Sequence, residues 1–190
     1  MTPSPERPGR LAYIMGPSGA GKDTLIGYAR DRVDPGTIVF AHRYITRPSD
    51  AGGENHVMLS EAEFAARHDA GLFALSWNSH GFRYGIGTEI ELWLARRLTV
   101  VVSGSRAAWP QAKERYPGLL GIVVDVPMEL RAQRLALRSR EDEAAIRARL
   151  AREVTLPPDD KLHWLDNSGT IEVAGEVLVK LLATARQSIP

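Results

Sequence analysis

The chain has 190 residues, 44% hydrophobic and 25% charged, with a formal net charge of +1 and no cysteine. That length suits one domain with small inserted lobes, and the composition is that of an ordinary soluble globular protein. The near-neutral balance gives no global case for nucleic acid or an acidic membrane, and the lack of cysteine excludes disulfides, thiolate metal sites and a Cys nucleophile.

The start, "MTPSPERPGR", carries Pro3, Pro5 and Pro8 and no apolar core. It reads as a loose tail over residues 1–9 rather than a secretory signal. No apolar run approaches the ~20 residues of a membrane span, so a cytoplasmic protein without a membrane partner is expected. "RLAYIM" is an apolar run without helical period that stops at Gly16, as a buried strand does. "DTLIGYARDRV" places Leu25, Ile26, Ala29 and Val33 at helical spacing. "TIVFAHRYIT" reads as a second strand. A polar stretch "RPSDAGGEN" and a short run "HVML" follow. Ser60 and Glu63 form a candidate capping box for the helix "EAEFAARHDA", with Gly71 to end it. "LFALSW" and "FRYG" flank Gly81 as a small hairpin, "EIELWLARR" is helical, and "LTVVVSGS" is a buried strand. Pro110 opens the short helix "PQAKERY". "LLGIVVDVP" is a strand, residues 128–153 have a helical period crowded with arginine, and "KLHWLDN" is the last strand. Thr170 caps a final helix with Ile171, Val173, Val177, Leu178, Leu181 and Leu182 on its apolar side. Strands alternating with helices imply a parallel α/β sheet. Trp77, Trp93, Trp109 and Trp164 are expected in the core.

"GPSGAGKDT" lies between the first strand and the first helix. Gly16, Gly21 and Lys22 match the phosphate-binding pattern G-x-x-x-x-G-K-[ST], but Asp23 stands where the hydroxyl belongs, with Thr24 one step later. Glycines let backbone N–H groups converge on phosphate oxygens, the helix N-terminus adds partial positive charge, and Lys22 adds a full one. Residues Gly16, Pro17, Ser18, Gly19, Ala20, Gly21, Lys22, Asp23 and Thr24 are therefore the candidate nucleotide site. Two readings of Asp23 stay open. Its carboxylate reaches Mg²⁺ directly or through water, or it favours the first helical turn through the dipole while Thr24 orients water or phosphate. His42, His68, His80 and His163 have no metal-ligand spacing. Asp125 reads as structural.

Four segments in order resemble the guanylate kinase-like group of P-loop kinases, from Arg10 to about Leu182: "GPSGAGK", "YITRP", "GLFALSWNSHGFRYGI" and "RLALRSREDEAAIRARL". The resemblance implies an α/β P-loop NTPase fold, a three-layer sandwich with a parallel core sheet, within one kinase domain over 10–190. It also implies a small acceptor-binding lobe at about 42–97 and a helical lid at about 134–150. Members that read guanine do so with a Glu in the hairpin and an Asp on the third core strand. Here Leu75 takes the first position, Ser103 and Ser105 stand at the second, Asp50 replaces an arginine and His56 a tyrosine. A guanine pocket without its carboxylates does not select guanine.

"GPSGAGKD", "HRYITRP", "GGENH", "HGFRYGIG" and "VVVSGSR" are similar to one bacterial branch of the group, the ribose 1,5-bisphosphate phosphokinases, in which an Asp after the loop lysine is usual. The resemblance implies transfer of the γ-phosphoryl of ATP, with Mg²⁺, to the C1 phosphate of ribose 1,5-bisphosphate, in phosphonate breakdown. It implies acceptor contacts from Arg43, Thr46, Arg47, His56, Arg83, Tyr84, Ser103, Ser105 and Arg106, where single arginines can also anchor loops, His56 can be an exposed loop histidine and Tyr84 can pack in the hairpin core. Arg138 and Arg149 lie eleven positions apart, about three helical turns, and share a face if the helix is continuous. In the family, arginines at these positions meet the transferring phosphate, so with Lys22 they are the candidate catalytic residues, and Arg140 joins them as a further candidate. Arg131, Arg134, Arg147 and Arg152 read as surface. The alternatives are a guanylate or other nucleoside monophosphate kinase, and a non-catalytic binding module of the same fold. The intact Gly16, Gly21 and Lys22 argue against the module. A monomer and a homodimer are equally compatible with the sequence.

Overall fold

The computed structural model describes residues 9–48, 56–138, 156, 159 and 162–185. Its centre is a five-stranded parallel sheet. The strands are β1 (Arg10–Met15), β2 (Ile38–Phe40), β7 (Thr99–Ser103), β8 (Leu120–Asp125) and β9 (Leu162–Asp166), in the order β2-β7-β1-β8-β9. Both faces of a parallel sheet are covered, so its strands read as continuous apolar runs rather than alternating ones. In β1, Ala12 and Ile14 pack with Leu25 of α1 (Lys22–Arg30) and with Leu178 and Leu182 of the last helix, α6 (Ile171–Thr184). Leu11, Tyr13 and Met15 face the other way, towards Ile90 of α3 (Glu89–Ala95) and Trp109 of α4 (Trp109–Arg115).

A second sheet lies on that other side. It contains β3 (Arg43–Ile45), β4 (His56–Met58), β5 (Phe73–Ser79) and β6 (Phe82–Gly87), in the order β4-β3-β6-β5. β5 and β6 form a hairpin whose two turn residues, His80 and Gly81, both have positive φ (52° and 77°), the backbone a tight hairpin turn demands. α2 (Glu61–Asp69) starts at Ser60, whose hydroxyl accepts from the Glu63 amide at 3.1 Å, while the Glu63 carboxylate pairs with Arg67. Ala74, Leu75 and Ile86 of the hairpin join the core cluster of Tyr13 and Met15, so the two sheets share one apolar interior.

Four expectations are corrected. "TIVFAHRYIT" is two strands in different sheets. The Ala41 amide still pairs with Val101, but His42 is exposed, and a polar break of this kind cannot continue inside a doubly covered sheet. The buried stripe of α6 runs through Ala174, Gly175, Leu178 and Leu182, whereas Val173 is 68% exposed and Val177 is also exposed. The cause is close packing: a Cβ at Gly175 would collide with the Tyr28 ring of α1, so small residues set the contact face. Trp164 is 61% exposed on β9, which among the described residues is an edge strand paired only with β8. Of the arginine-rich stretch, α5 covers Met128–Arg138, and Arg131 and Arg134 are not surface residues (below). Arg140 and Arg149 lie outside the described residues, as does the side chain of Arg138. Among the described residues no helix is long and apolar enough to cross a membrane.

Candidate active site

The glycine loop leaves β1 at Gly16, where a Cβ would collide with the Val124 carbonyl oxygen of β8. Gly19 (φ 80°) and Gly21 (φ 82°) are left-handed, and Gly21 caps α1. Only glycine adopts that backbone without strain. The Lys22 ammonium folds back across the loop and donates to the Gly16 carbonyl at 3.1 Å.

The loop is held from outside by its carbonyls. Asn167 Nδ2 donates to the Ala20 carbonyl at 2.8 Å, and Arg131 Nε donates to the Ser18 carbonyl at 3.3 Å. In a trans peptide the carbonyl and the following N–H point in opposite directions. Turning the Ser18 and Ala20 carbonyls outward therefore turns the Gly19 and Gly21 amides inward, towards an anion at the helix N-terminus. Arg134 Nη2 in turn donates to the Asn167 carbonyl at 2.9 Å. Arg131 is 8% exposed and Arg134 half-buried, and both brace the loop. Their spacing on α5 looks like a solvated arginine face because their partners are far away in the chain.

Beside the loop is a cleft of about 290 Å³, with Gly19, Gly21, Thr24, Arg134, Asn167 and Ile171 among its walls. Asn167 and Gly169 carry no motif in the sequence, and Ile171 reads there only as part of the apolar side of the last helix. The "DN" at the end of the last strand is the one local signal, since a polar residue there falls at the carboxyl end of a parallel sheet, where ligands bind. Asn167→Ala leaves the buried Ala20 carbonyl without its donor. We expect a stability loss of about 1–3 kcal/mol, with nucleotide binding weakened more than acceptor binding. Thermal unfolding and nucleotide titration check both.

On the other side of the loop, Asp23 meets the second sheet. Its Oδ1 accepts from Arg43 Nη2 at 3.2 Å and from Ser103 Oγ at 3.3 Å. Arg43 is 9% exposed, and its guanidinium lies 5.8 Å from the centroid of the Tyr84 ring. Tyr84 stacks on Trp77 with centroids 5.5 Å apart and the planes 6° from parallel. Behind them Tyr13 fixes the end of β7: its hydroxyl donates to the Ser105 carbonyl (2.8 Å) and accepts from the Ser105 amide (3.0 Å). Burial pushes the Tyr13 phenol well up, against the opposing pull of the Ser105 hydrogen bond and Arg43, so it stays protonated and serves both bonds. Asp125 is exposed at the end of β8.

Asp23, Arg43, Tyr84 and Ser103 thus come together. The other sequence candidates occupy further positions on the same strands and turns. Ser105 Oγ caps the short turn that follows by accepting from the Ala107 amide at 3.2 Å, and Arg106 lies in that turn. Thr46 Oγ1 accepts from the Arg83 amide at 3.0 Å, tying β3 to β6. The Arg83 guanidinium covers the Phe64 ring of α2 at 4.5 Å, on the face of β6 opposite Tyr84, as strand alternation requires. Arg47 follows β3, and His56 opens β4 opposite Arg43, both half-buried. Leu75, at the hairpin position where guanine-reading relatives hold a Glu, is 1% exposed within the core.

No family model matches the chain. Curated proteins do. The ribose 1,5-bisphosphate phosphokinase of Burkholderia mallei (strain SAVP1) is 58% identical over 175 residues, 91% of this chain and 95% of that protein. The protein of the same name from Thiobacillus denitrificans is 54% identical over 183 residues, 95% of this chain and 96% of its own. Among solved structures, a guanylate kinase from Anaplasma phagocytophilum superposes with a TM-score of 0.69, covering 96% of this chain and 89% of its own at 15% identity, which shows the shared guanylate kinase-like fold. With relatives this similar over nearly its whole length, the chain belongs to the ribose 1,5-bisphosphate phosphokinase family.

Proposed function

We propose that this chain transfers the γ-phosphoryl group of ATP to the C1 phosphate of ribose 1,5-bisphosphate, forming 5-phosphoribosyl 1-diphosphate and ADP. The observation that carries the reading is the floor opposite the loop. It is built from Arg43 and Tyr84, 9% and 7% exposed, and the position that would read a base is a leucine sealed in the core. Such a floor suits an acceptor with phosphate and no base. The acceptor oxygen is already ionised at neutral pH, so no general base is needed. The P–O bond to the β-phosphate breaks as the bond to the C1 phosphate oxygen forms, and ADP carries away the negative charge. Catalysis rests on alignment and charge neutralisation.

Lys22, the inward Gly19 and Gly21 amides and the α1 N-terminus would hold the donor phosphates, with the nucleoside in the cleft of Asn167 and Ile171. Arg138 and Arg149 keep their proposed role on the transferring group, with Arg47 and His56 on the acceptor. Mg²⁺ fits this arrangement as a guest of the nucleotide. Among the described residues no group of three or more His, Asp or Glu is arranged to hold a metal ion, and Mg²⁺ commonly binds through one or two protein oxygens plus substrate phosphates. Thr24, which lines the cleft with Gly21, would offer its hydroxyl as one such oxygen. A Mg²⁺ held there would supply charge neutralisation to the donor phosphates.

Phosphorus NMR of the chain with ATP, Mg²⁺ and ribose 1,5-bisphosphate tests the reading. The C1 monophosphate resonance is expected to give way to two mutually coupled diphosphate resonances, matched one to one by ADP. Release of inorganic phosphate with the sugar unchanged would contradict it.

A further inference from the structure

We infer that Asp23 is a positioning residue for the acceptor, holding the Arg43 guanidinium at the seam between the loop helix and the second sheet. The inference rests on the phosphoryl-transfer reading above. Three elements meet at one carboxylate oxygen: α1 supplies Asp23, β3 supplies Arg43, and the end of β7 supplies Ser103. The guanidinium is fixed on two sides, by the carboxylate at 3.2 Å and by the face of Tyr84. An arginine held this way loses little freedom when a phosphate arrives, and its planar fork keeps its direction.

Charge explains why a carboxylate is tolerated directly after the loop lysine. Alone, Asp23 would repel the donor polyphosphate. Paired with Arg43 it makes the seam neutral until the acceptor adds its own charge. The same geometry engages one of the two carboxylate oxygens, Oδ1, away from a metal. For Mg²⁺ to bind Oδ1, the oxygen would have to exchange both a guanidinium and a hydroxyl proton for the cation. Ser103, at the position where guanine-reading relatives hold an acid, instead orients Asp23.

The test is steady-state kinetics of Asp23→Asn, which keeps shape and an acceptor oxygen but removes the charge. We expect KM for ribose 1,5-bisphosphate to rise about tenfold, as for loss of a charge-assisted bond, while KM for ATP and the Mg²⁺ concentration at half-maximal rate stay within about twofold. In an Arg43→Ala background the same change should add no more than about twofold to the acceptor KM, because the partner it positions is gone. Ser103→Ala should shift the acceptor KM in the same direction by a smaller factor. Thermal unfolding confirms that each variant is folded. A raised Mg²⁺ requirement with an unchanged acceptor KM would overturn the inference and assign the carboxylate to the metal. An undiminished Asp23→Asn effect in the Arg43→Ala background would also overturn it. Failure of the unmodified chain to use the sugar bisphosphate would sink the function reading instead. The KM comparison is then made on the phosphorylated acceptor it does use, where the same outcomes decide.

Discussion

Lys22→Ala is expected to lower kcat by roughly a thousandfold, the loss seen when a preorganised charge is removed from a developing transition state. The ammonium lies across the loop at 3.1 Å from the Gly16 carbonyl, at the mouth where donor phosphates would enter. It is not what keeps the loop shaped. Asn167 and Arg131 hold the Ala20 and Ser18 carbonyls, and Gly19 and Gly21 supply the left-handed backbone. The variant should therefore unfold at nearly the temperature of the parent while losing turnover. Lys22→Arg should not restore the rate, since a planar fork cannot replace a compact point charge in that space. Single-turnover rates together with thermal unfolding check this. Activity within about tenfold of the parent would remove Lys22 from the chemistry.

Leu75→Glu carries the other large effect, and it falls on stability. It puts back the residue type with which guanine is read elsewhere in the fold. Leu75, however, is 1% exposed and packs with Ile86, Tyr13, Met15 and Val102. A carboxylate there is desolvated with no cation beside it in that cluster. We expect a loss of roughly 3–5 kcal/mol, a large share of the ~5–15 kcal/mol that holds a domain folded. Burial raises the folded-state pKa of such a Glu above its unfolded value. The neutral form is thus tolerated at low pH, and the penalty grows as pH rises through the unfolded pKa towards the folded one. Urea unfolding of variant and parent should show a smaller difference at pH 4 than at pH 8. No GMP turnover should appear at either pH. A stable variant that phosphorylates GMP would mean the acceptor floor has been misplaced.

Much of this molecule is legible in its sequence, for definite reasons. β1, the glycine loop and α1 follow from an apolar run, fixed glycine spacing and a helical period, all local signals. The hairpin follows from Gly81 between two apolar runs. Signals failed where distant contacts decide. The loop braces Arg131 and Asn167 meet partners 113 and 147 positions away, so Arg131 reads as ordinary surface and Asn167 only as the end of a strand. The local sequence around Asp23 suggests a metal or dipole role and does not show Arg43 and Ser103, which meet its Oδ1 from 20 and 80 positions on. α6 misled for another reason. Hydropathy weights Val173 and Val177 above Ala174 and Gly175, yet the small residues are what let α1 and Tyr28 approach. Arg83 shows the limit of motif matching: it stands next to Tyr84, but strand alternation sends it to Phe64 on the far face.

The central claim concerns the acceptor, and it is tested most directly by following ADP release from ATP with Mg²⁺ on ribose 1,5-bisphosphate and on GMP side by side. Turnover on the sugar bisphosphate and none on GMP is the predicted result. Turnover on GMP alone would mean that guanine is held without Leu75, Ser103 or Ser105, and would contradict the account.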